Sequence, residues 1–195
     1  MTAILIVLAS LIGVTGEARF EEVHQRYLLA DGIQWKIRSV VYSEIFEESD
    51  TTDMEYLYSP PDTFSLTGEK EKIVGVGDTI WVLSERHRQV HKKNAVGSTM
   101  PSDFILNWKS SYDLDRFSMD GSRTIYYLRG RENVKPSDLA MAVDADNRVK
   151  SISYTDSSGD LVTLSITGEK LKRPRKIDLF FLDMPNGYDF IDLTE

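Results

Sequence analysis

Apolar residues recur at helical spacing near the start of the chain and at every second position through most of the rest. Phe20, Val23 and Tyr27 stand at i, i+3 and i+7, opposite Glu21, Glu22 and Arg26. That single stripe predicts an amphipathic helix over Arg19 to Ala30. Asp31-Gly32 closes it, because glycine takes the left-handed conformation that ends helices. Ile33, Trp35 and Ile37 then alternate with Gln34, Lys36 and Arg38, a half-buried strand running on through Val40 to Phe46. Glu47 to Asp53 reads as an acidic turn. Met54, Tyr56 and Tyr58 alternate again up to Pro60-Pro61, and Phe64 with Leu66 marks a short strand.

Lys72 to Val76 and Thr79 to Ser84 form a hairpin turning at Gly77-Asp78, and Arg88 to Lys92 returns. The region Val96 to Asp113 breaks the alternation. Pro101 and Ser102 are loop and cap residues, and Phe104, Ile105 and Trp108 share one helical face, so a short amphipathic helix is expected between strands. Further strands are predicted at Asp115 to Met119, Thr124 to Arg129, Asp138 to Val143, Val149 to Thr155, Leu161 to Thr167 and Ile177 to Leu182. Ten to eleven short strands at this spacing make an antiparallel sheet that curls toward a barrel. Two short amphipathic helices could cover its concave face, leaving a plain core if they cover it completely and an apolar pocket if they do not. The residues thus point to a mainly β fold with α, a curled antiparallel sheet in one domain over 19–195.

Residues Ala3 to Val14 are almost wholly apolar. Twelve residues fall short of the roughly 20 that cross a bilayer as a helix. They suit the core of a signal peptide over 1–18, with Gly16 and Ala18 as the small residues before a cut. A buried core helix has the same pattern. Charge and composition narrow the function. The 195-residue chain carries a net charge of −8, which repels phosphate backbones and argues against nucleic acid as a partner. It has no cysteine, which excludes disulfides, thiol catalysis and a lipid anchor on an N-terminal cysteine.

Candidate catalytic patterns are weak. His87 and His91 have the spacing of a zinc-binding pair, but no Glu follows His87 and the setting is a strand. Asp144-Ala145-Asp146-Asn147 opens like a calcium loop, yet its sixth position is Val149 and its twelfth Thr155. No phosphate-binding or nucleophile-elbow motif occurs with the right flanks. Neither an enzyme, a cofactor nor a bound metal is expected. Lys170, Lys172, Arg173, Arg175 and Lys176 form a basic run in an acidic protein. It suits a solvated turn, or a docking patch for an acidic partner or anionic lipid heads. Trp35, Trp81, Trp108 and Phe104 suit either an ordinary core or a pocket lining.

Three segments carry a family likeness. The first is Ser59-Pro60-Pro61-Asp62-Thr63-Phe64-Ser65-Leu66 with the strand, turn and strand from Ile73 to Leu83. The second is Met100-Pro101-Ser102-Asp103-Phe104-Ile105-Leu106. The third runs from Ile177 to Ile191 and ends in Pro185-Asn186-Gly187-Tyr188-Asp189-Phe190-Ile191. In order and spacing these resemble the LolA family of periplasmic lipoprotein carriers, over essentially the whole of 19–195. The resemblance implies a curved antiparallel half-barrel sheet of about ten to eleven strands covered by short lid helices, with an apolar cavity for acyl chains between sheet and lid. It implies lipoprotein cargo, received from an inner-membrane exporter complex and passed to an outer-membrane acceptor by a soluble periplasmic monomer. On it the cavity and lid fall to Val23, Tyr27, Trp35, Ile37, Phe64, Leu66, Ile80, Val82, Phe104, Ile105 and Trp108. A LolA-like lipid or glycolipid binder, or an envelope-stress sensor, would share the same frame.

The chain departs from the family at its latch. Pro60 and Ser65 stand where the family commonly has arginines, one of them held to bond the lid closed. Either Arg38 or Arg88 substitutes, or the cavity is more open, or the cargo differs; the lid is expected to be held mainly by Phe104, Ile105 and Trp108 and to open at little hydrogen-bond cost. The signal-peptide reading predicts an exported form beginning near Arg19. N-terminal sequencing of that form checks it, and a start at Met1 or Thr2 contradicts it.

Overall fold

The computed structural model describes residues 16–95, 100–174 and 185–194. Helix α1 (Gly16–Leu28) opens the described chain, three residues earlier than its apolar stripe suggests. Six strands follow as a meander: β1 (Ile33–Ser43), β2 (Glu48–Ser59), β3 (Thr63–Thr67), β4 (Glu71–Val76), β5 (Thr79–Ser84) and β6 (Gln89–Asn94). Two one-turn helices, α2 (Asp103–Leu106) and α3 (Trp108–Ser111), lead into a second meander. Its strands are β7 (Tyr112–Asp120), β8 (Arg123–Gly130), β9 (Asp138–Val143), β10 (Val149–Thr155) and β11 (Leu161–Lys170). A short β12 (Asp189–Leu193) ends the described chain. The expected strand at Ile177 to Leu182 lies outside the described residues.

All twelve strands form one open sheet, ordered β12-β6-β5-β4-β3-β2-β1-β11-β10-β9-β8-β7. Pairing of β1 with β11 joins the two meanders, and every neighbouring pair is antiparallel except β12 beside β6. Directly opposed residues of an antiparallel pair project to the same face. The register therefore sorts side chains into rows across the sheet. One row runs Trp35, Tyr56, Leu66, Ile73, Val82; another runs Ile33, Tyr58, Phe64, Gly75, Ile80. Both lie on the face that α1 and the lid helices cover.

Sequence and structure differ most at the acidic stretch after β1 and at the lid. The acidic stretch read as a turn is mostly strand: the turn is confined to residues 44–47, and Glu48 to Asp53 pair in register with β1. The hairpin protrudes far enough for its polar side chains to stay in water on either face, so the charge that suggested a turn costs nothing in a strand. The single expected lid helix is broken in two at Asn107, whose φ of −105° and ψ of 11° leave the helical range.

The main core lies between α1 and the seam half of the sheet. Phe20, Val23 and Tyr27 pack with Trp35, Ile37, Met141, Ile152 and other apolar residues of β8 to β11. The Phe20 ring sits 4.7 Å from Tyr126 and 5.0 Å from Trp108, and Tyr27 meets Trp35 edge-on at 5.6 Å. A polar anchor sits inside this apolar packing. The Glu169 carboxylate accepts the Tyr27 hydroxyl, the Trp35 indole N–H at 3.1 Å and Arg26 Nη2 at 3.3 Å. The Tyr27 oxygen in turn accepts the Val149 N–H at 2.9 Å. Burial above all, then the Glu169 charge, pushes the Tyr27 hydroxyl far above its ordinary value, so it stays a neutral donor.

Tyr27→Phe leaves Glu169 one donor short and the buried Val149 N–H without its acceptor. The expected cost is about 1–3 kcal/mol of stability, because a buried group left without its partner loses its full desolvation term. Urea unfolding of the two proteins measures it.

Candidate functional site

The lid is latched to the sheet by a pair of hydroxyls. Ser102, just before α2, makes no side-chain cap to its own helix. Its Oγ lies 2.6 Å from the Tyr56 hydroxyl of β2, and both residues are fully buried. Asp103 takes over at the helix start, where its carboxylate accepts the Met100 N–H at 2.7 Å. Phe104, Ile105 and Trp108 face inward, with Phe104 5.4 Å from Tyr154 and 6.3 Å from Tyr112. Lys109 of α3 pairs with Glu21 of α1 at 2.9 Å. The Glu21 carboxyl is held down to about 2, first by the hydrogen bond from Gln25 and then by Lys109.

This arrangement answers the question the missing arginines pose. Arg38 reaches across to Asp53 with bonds of 2.9 and 3.1 Å on the exposed face of the β1–β2 hairpin. Arg88 sits at the β5–β6 turn, 5.9 Å from the Tyr188 ring. Neither serves as the latch. Ser65 opposes Leu57 and Val74, on the other face from Phe64 and Leu66, so no side chain there points at the lid. Phe104, Ile105 and Trp108 pack the lid with apolar contacts, and a buried hydrogen bond between Tyr56 and Ser102 joins it to the sheet.

The expected site residues divide into two groups. Val23, Tyr27, Trp35, Ile37, Phe104, Ile105 and Trp108 are all at most 4% exposed and belong to the packed core. Phe64, Leu66, Ile80 and Val82 lie on the concave face of β3 to β5, where coverage is incomplete: Phe64, Leu66 and Val82 are only half-buried. Met54, Tyr58 and Ile73 join them there. These three do not stand out as site residues in the sequence. Each is the cross-strand neighbour of a residue that does, so the signal is the register, which no single-strand pattern contains.

Two cavities open along this strip. One, of about 280 Å³, has Met54, Leu66 and Ile73 as its floor, with Asp50, Glu69 and Glu71 at its rim. The other, of about 230 Å³, lies between the lid and the sheet, against Tyr56, Phe64, Ile80, Met100 and Leu106. Gly75 makes room for Phe64: a Cβ there would come within 2.1 Å of the ring. The ring thus lies across bare backbone, an approach that only glycine allows. Met54 to Tyr58 along β2 spans about 14 Å at the usual strand rise.

The remaining candidates fall elsewhere. Lys170, Lys172 and Arg173 are exposed at and beyond the end of β11, while Arg175 and Lys176 lie outside the described residues. Trp81 opposes Val74 and Lys92 on the outer face. His91 on β6 contacts Gln89 at 3.2 Å, and His87 lies in the preceding turn. Among the described residues no three His, Asp or Glu side chains stand together as a metal site would need. Asp144 folds its own turn, accepting the N–H groups of Asp146 and Arg148 at 3.0 and 2.9 Å. Among the described residues no helix is long and apolar enough to cross a membrane.

No protein-family model matches the chain, and no curated protein matches it. Solved structures do. An uncharacterized conserved protein from Thermus thermophilus superposes with a TM-score of 0.58 at 12% identity, over 91% of this chain and 99% of that one. A LolA superfamily protein from Nitrosomonas europaea gives 0.51 at 14% identity, over 86% and 98%. A DUF1329 family protein from Desulfovibrio piger gives 0.50 at 10% identity, over 85% and 97%. At these identities the likeness is one of fold, and the fold is LolA-like.

Tyr56→Phe removes one half of the latch and leaves the Ser102 hydroxyl buried alone. Amide exchange across residues 102–110 is expected to speed up by an opening cost reduced about 1–3 kcal/mol, with β9 and β10 unaffected. Unchanged protection in the lid would show that the hydroxyl pair does not hold it.

Proposed function

We propose that this protein is a periplasmic carrier that binds the acyl chains of lipoproteins along the concave strip and ferries them from the inner to the outer membrane. The observation that carries the reading is the half-buried apolar strip on β2 to β5, beside the buried core beneath α1, in a sheet of LolA-like fold. A monomeric protein in water gains nothing from leaving such a strip half covered. Covering apolar surface is worth roughly 25 cal/mol per Å², or about 0.8 kcal/mol per buried methylene. An acyl chain laid along Leu66 and Ile73 supplies that cover, and no covalent step is needed.

On this reading the latch between Tyr56 and Ser102 sets the balance between loading and release. A neutral hydrogen bond contributes about 1 kcal/mol net, small enough for an acyl chain to displace and large enough to bias the empty protein closed. Loading from an inner-membrane exporter complex and release to an outer-membrane acceptor need a surface for docking. The exposed Lys170, Lys172 and Arg173, with Arg175 and Lys176 next in the chain, provide a basic patch on an acidic protein for that purpose.

A neutral fluorescent monoacylglycerol is expected to bind saturably. Leu66→Asn, which makes the cavity floor polar without adding charge, is expected to weaken it about tenfold, the equivalent of roughly 1.4 kcal/mol. Absence of saturable binding, or full affinity in Leu66→Asn with its thermal unfolding unchanged, contradicts the reading.

A further inference from the structure

The cavity beneath the lid combines aromatic and aliphatic side chains with charge of a single sign. Tyr56, Tyr58, Phe64 and Ile80 form the walls, and Asp62 and Asp103 are the charged residues that line it. No Lys, Arg or His lines it among the described residues, and neither carboxylate has an ion pair there. Asp103 is only half-exposed, and its carboxylate accepts the Met100 N–H at 2.7 Å and the Asn107 side-chain N–H at 3.4 Å. Burial pushes its carboxyl up, with the Met100 bond pulling the other way. Tyr58 stands between the two acids: its hydroxyl, which donates to the Pro61 carbonyl at 2.8 Å, is raised first by burial and then by the charges of Asp103 and Asp62.

A pair of carboxylates without counter-ions, beside tyrosine and phenylalanine rings in a small cavity, is a setting that suits an ammonium group. Aromatic ring faces attract a cation, and the carboxylates, half-buried Asp103 above all, gain an ionic partner. The cavity at the far end of the strip repeats the sign, with Asp50, Glu69 and Glu71 against a lone Lys70. An anionic head would meet like charge at either end.

We propose that the cavity formed by Tyr58, Phe64, Asp62 and Asp103 is a head-group site for an ammonium-bearing amphiphile, whose alkyl chain runs from it along Leu66 and Ile73. The proposal rests on the acyl-binding reading of the same strip and adds the charge of the molecule it accepts. The head enters beneath α2, so the lid closes over the head while the tail lies on the sheet.

Three probes with the same tail separate the two ideas: dodecyltrimethylammonium, dodecyl maltoside and dodecyl sulfate, each titrated calorimetrically into the full chain below its micelle concentration. The ammonium is expected to bind about fivefold tighter than the maltoside, the sum of modest cation–ring and charge contributions, and the sulfate weakest. In Asp62→Asn/Asp103→Asn the ratio of ammonium to maltoside affinity should fall toward one. Asp62→Asn alone, at an exposed position, should lower it part of the way if the double variant fails to fold. Maltoside binding with no preference for the ammonium, or a preference that survives the variants, overturns the head-group site and leaves the acyl-binding strip standing. Failure of all three probes to bind overturns both.

Discussion

The antiparallel pairing of β1 with β11 is the seam on which the molecule depends. It turns two local meanders into one sheet, and it brings Trp35 directly opposite Glu169. That juxtaposition makes the anchor for α1, because Tyr27 reaches the same carboxylate from above. A buried carboxylate is costly unless its lone pairs are met, and here three donors meet it. Apolar packing of Phe20, Val23 and Tyr27 supplies the bulk of the attraction. The shared carboxylate fixes where along the seam the helix sits.

Fixing α1 on the seam decides what remains open. The helix fills the concave face over β1 and β8 to β11, and α2 with α3 covers the region from Tyr56 to Tyr112. Beyond Tyr56 the same face continues through Leu66, Ile73 and Val82 with only half cover. The uneven roof follows from one long helix and two single turns spread over a sheet of twelve strands. The face is buried beneath α1 on one side and only half-covered over β3 to β5 on the other.

Much of this was legible from the order of residues. Strands β9 and β10 fall within the limits their alternation marks, and the β4–β5 turn lies at Gly77, where φ is +56°. The curling antiparallel sheet and the helical break between Val96 and Asp113 follow from the same periodicity, whereas the half-barrel and its lid rest on the family resemblance. What was not legible depends on partners distant in sequence. The acids of β2 look like a turn until β1 is there to pair with them. Strand β11 reaches Lys170 through Gly168 and Glu169, residues that weaken a strand pattern, and only pairing with β1 holds them extended. The five residues of β12 carry no pattern of their own and are ordered beside β6. Leu57, Val74, Leu83 and Val90 are buried on the outer face, a two-sided burial that simple alternation does not anticipate. The latch escapes a sequence reading because Ser102 reads as a helix cap, and its hydroxyl is taken by Tyr56, 46 residues away.

The central claim is that an alkyl chain lies on the concave face of β2 to β5. Photo-crosslinking with an alkyl diazirine, followed by peptide mapping, reads that placement directly. Labels concentrated on Met54, Leu66, Ile73 and Val82, and lost in the presence of excess unlabelled monoacylglycerol, are the predicted result. Labels on the exposed Leu29, Ile45 or Phe46 instead, with the strip unmarked, would contradict the account.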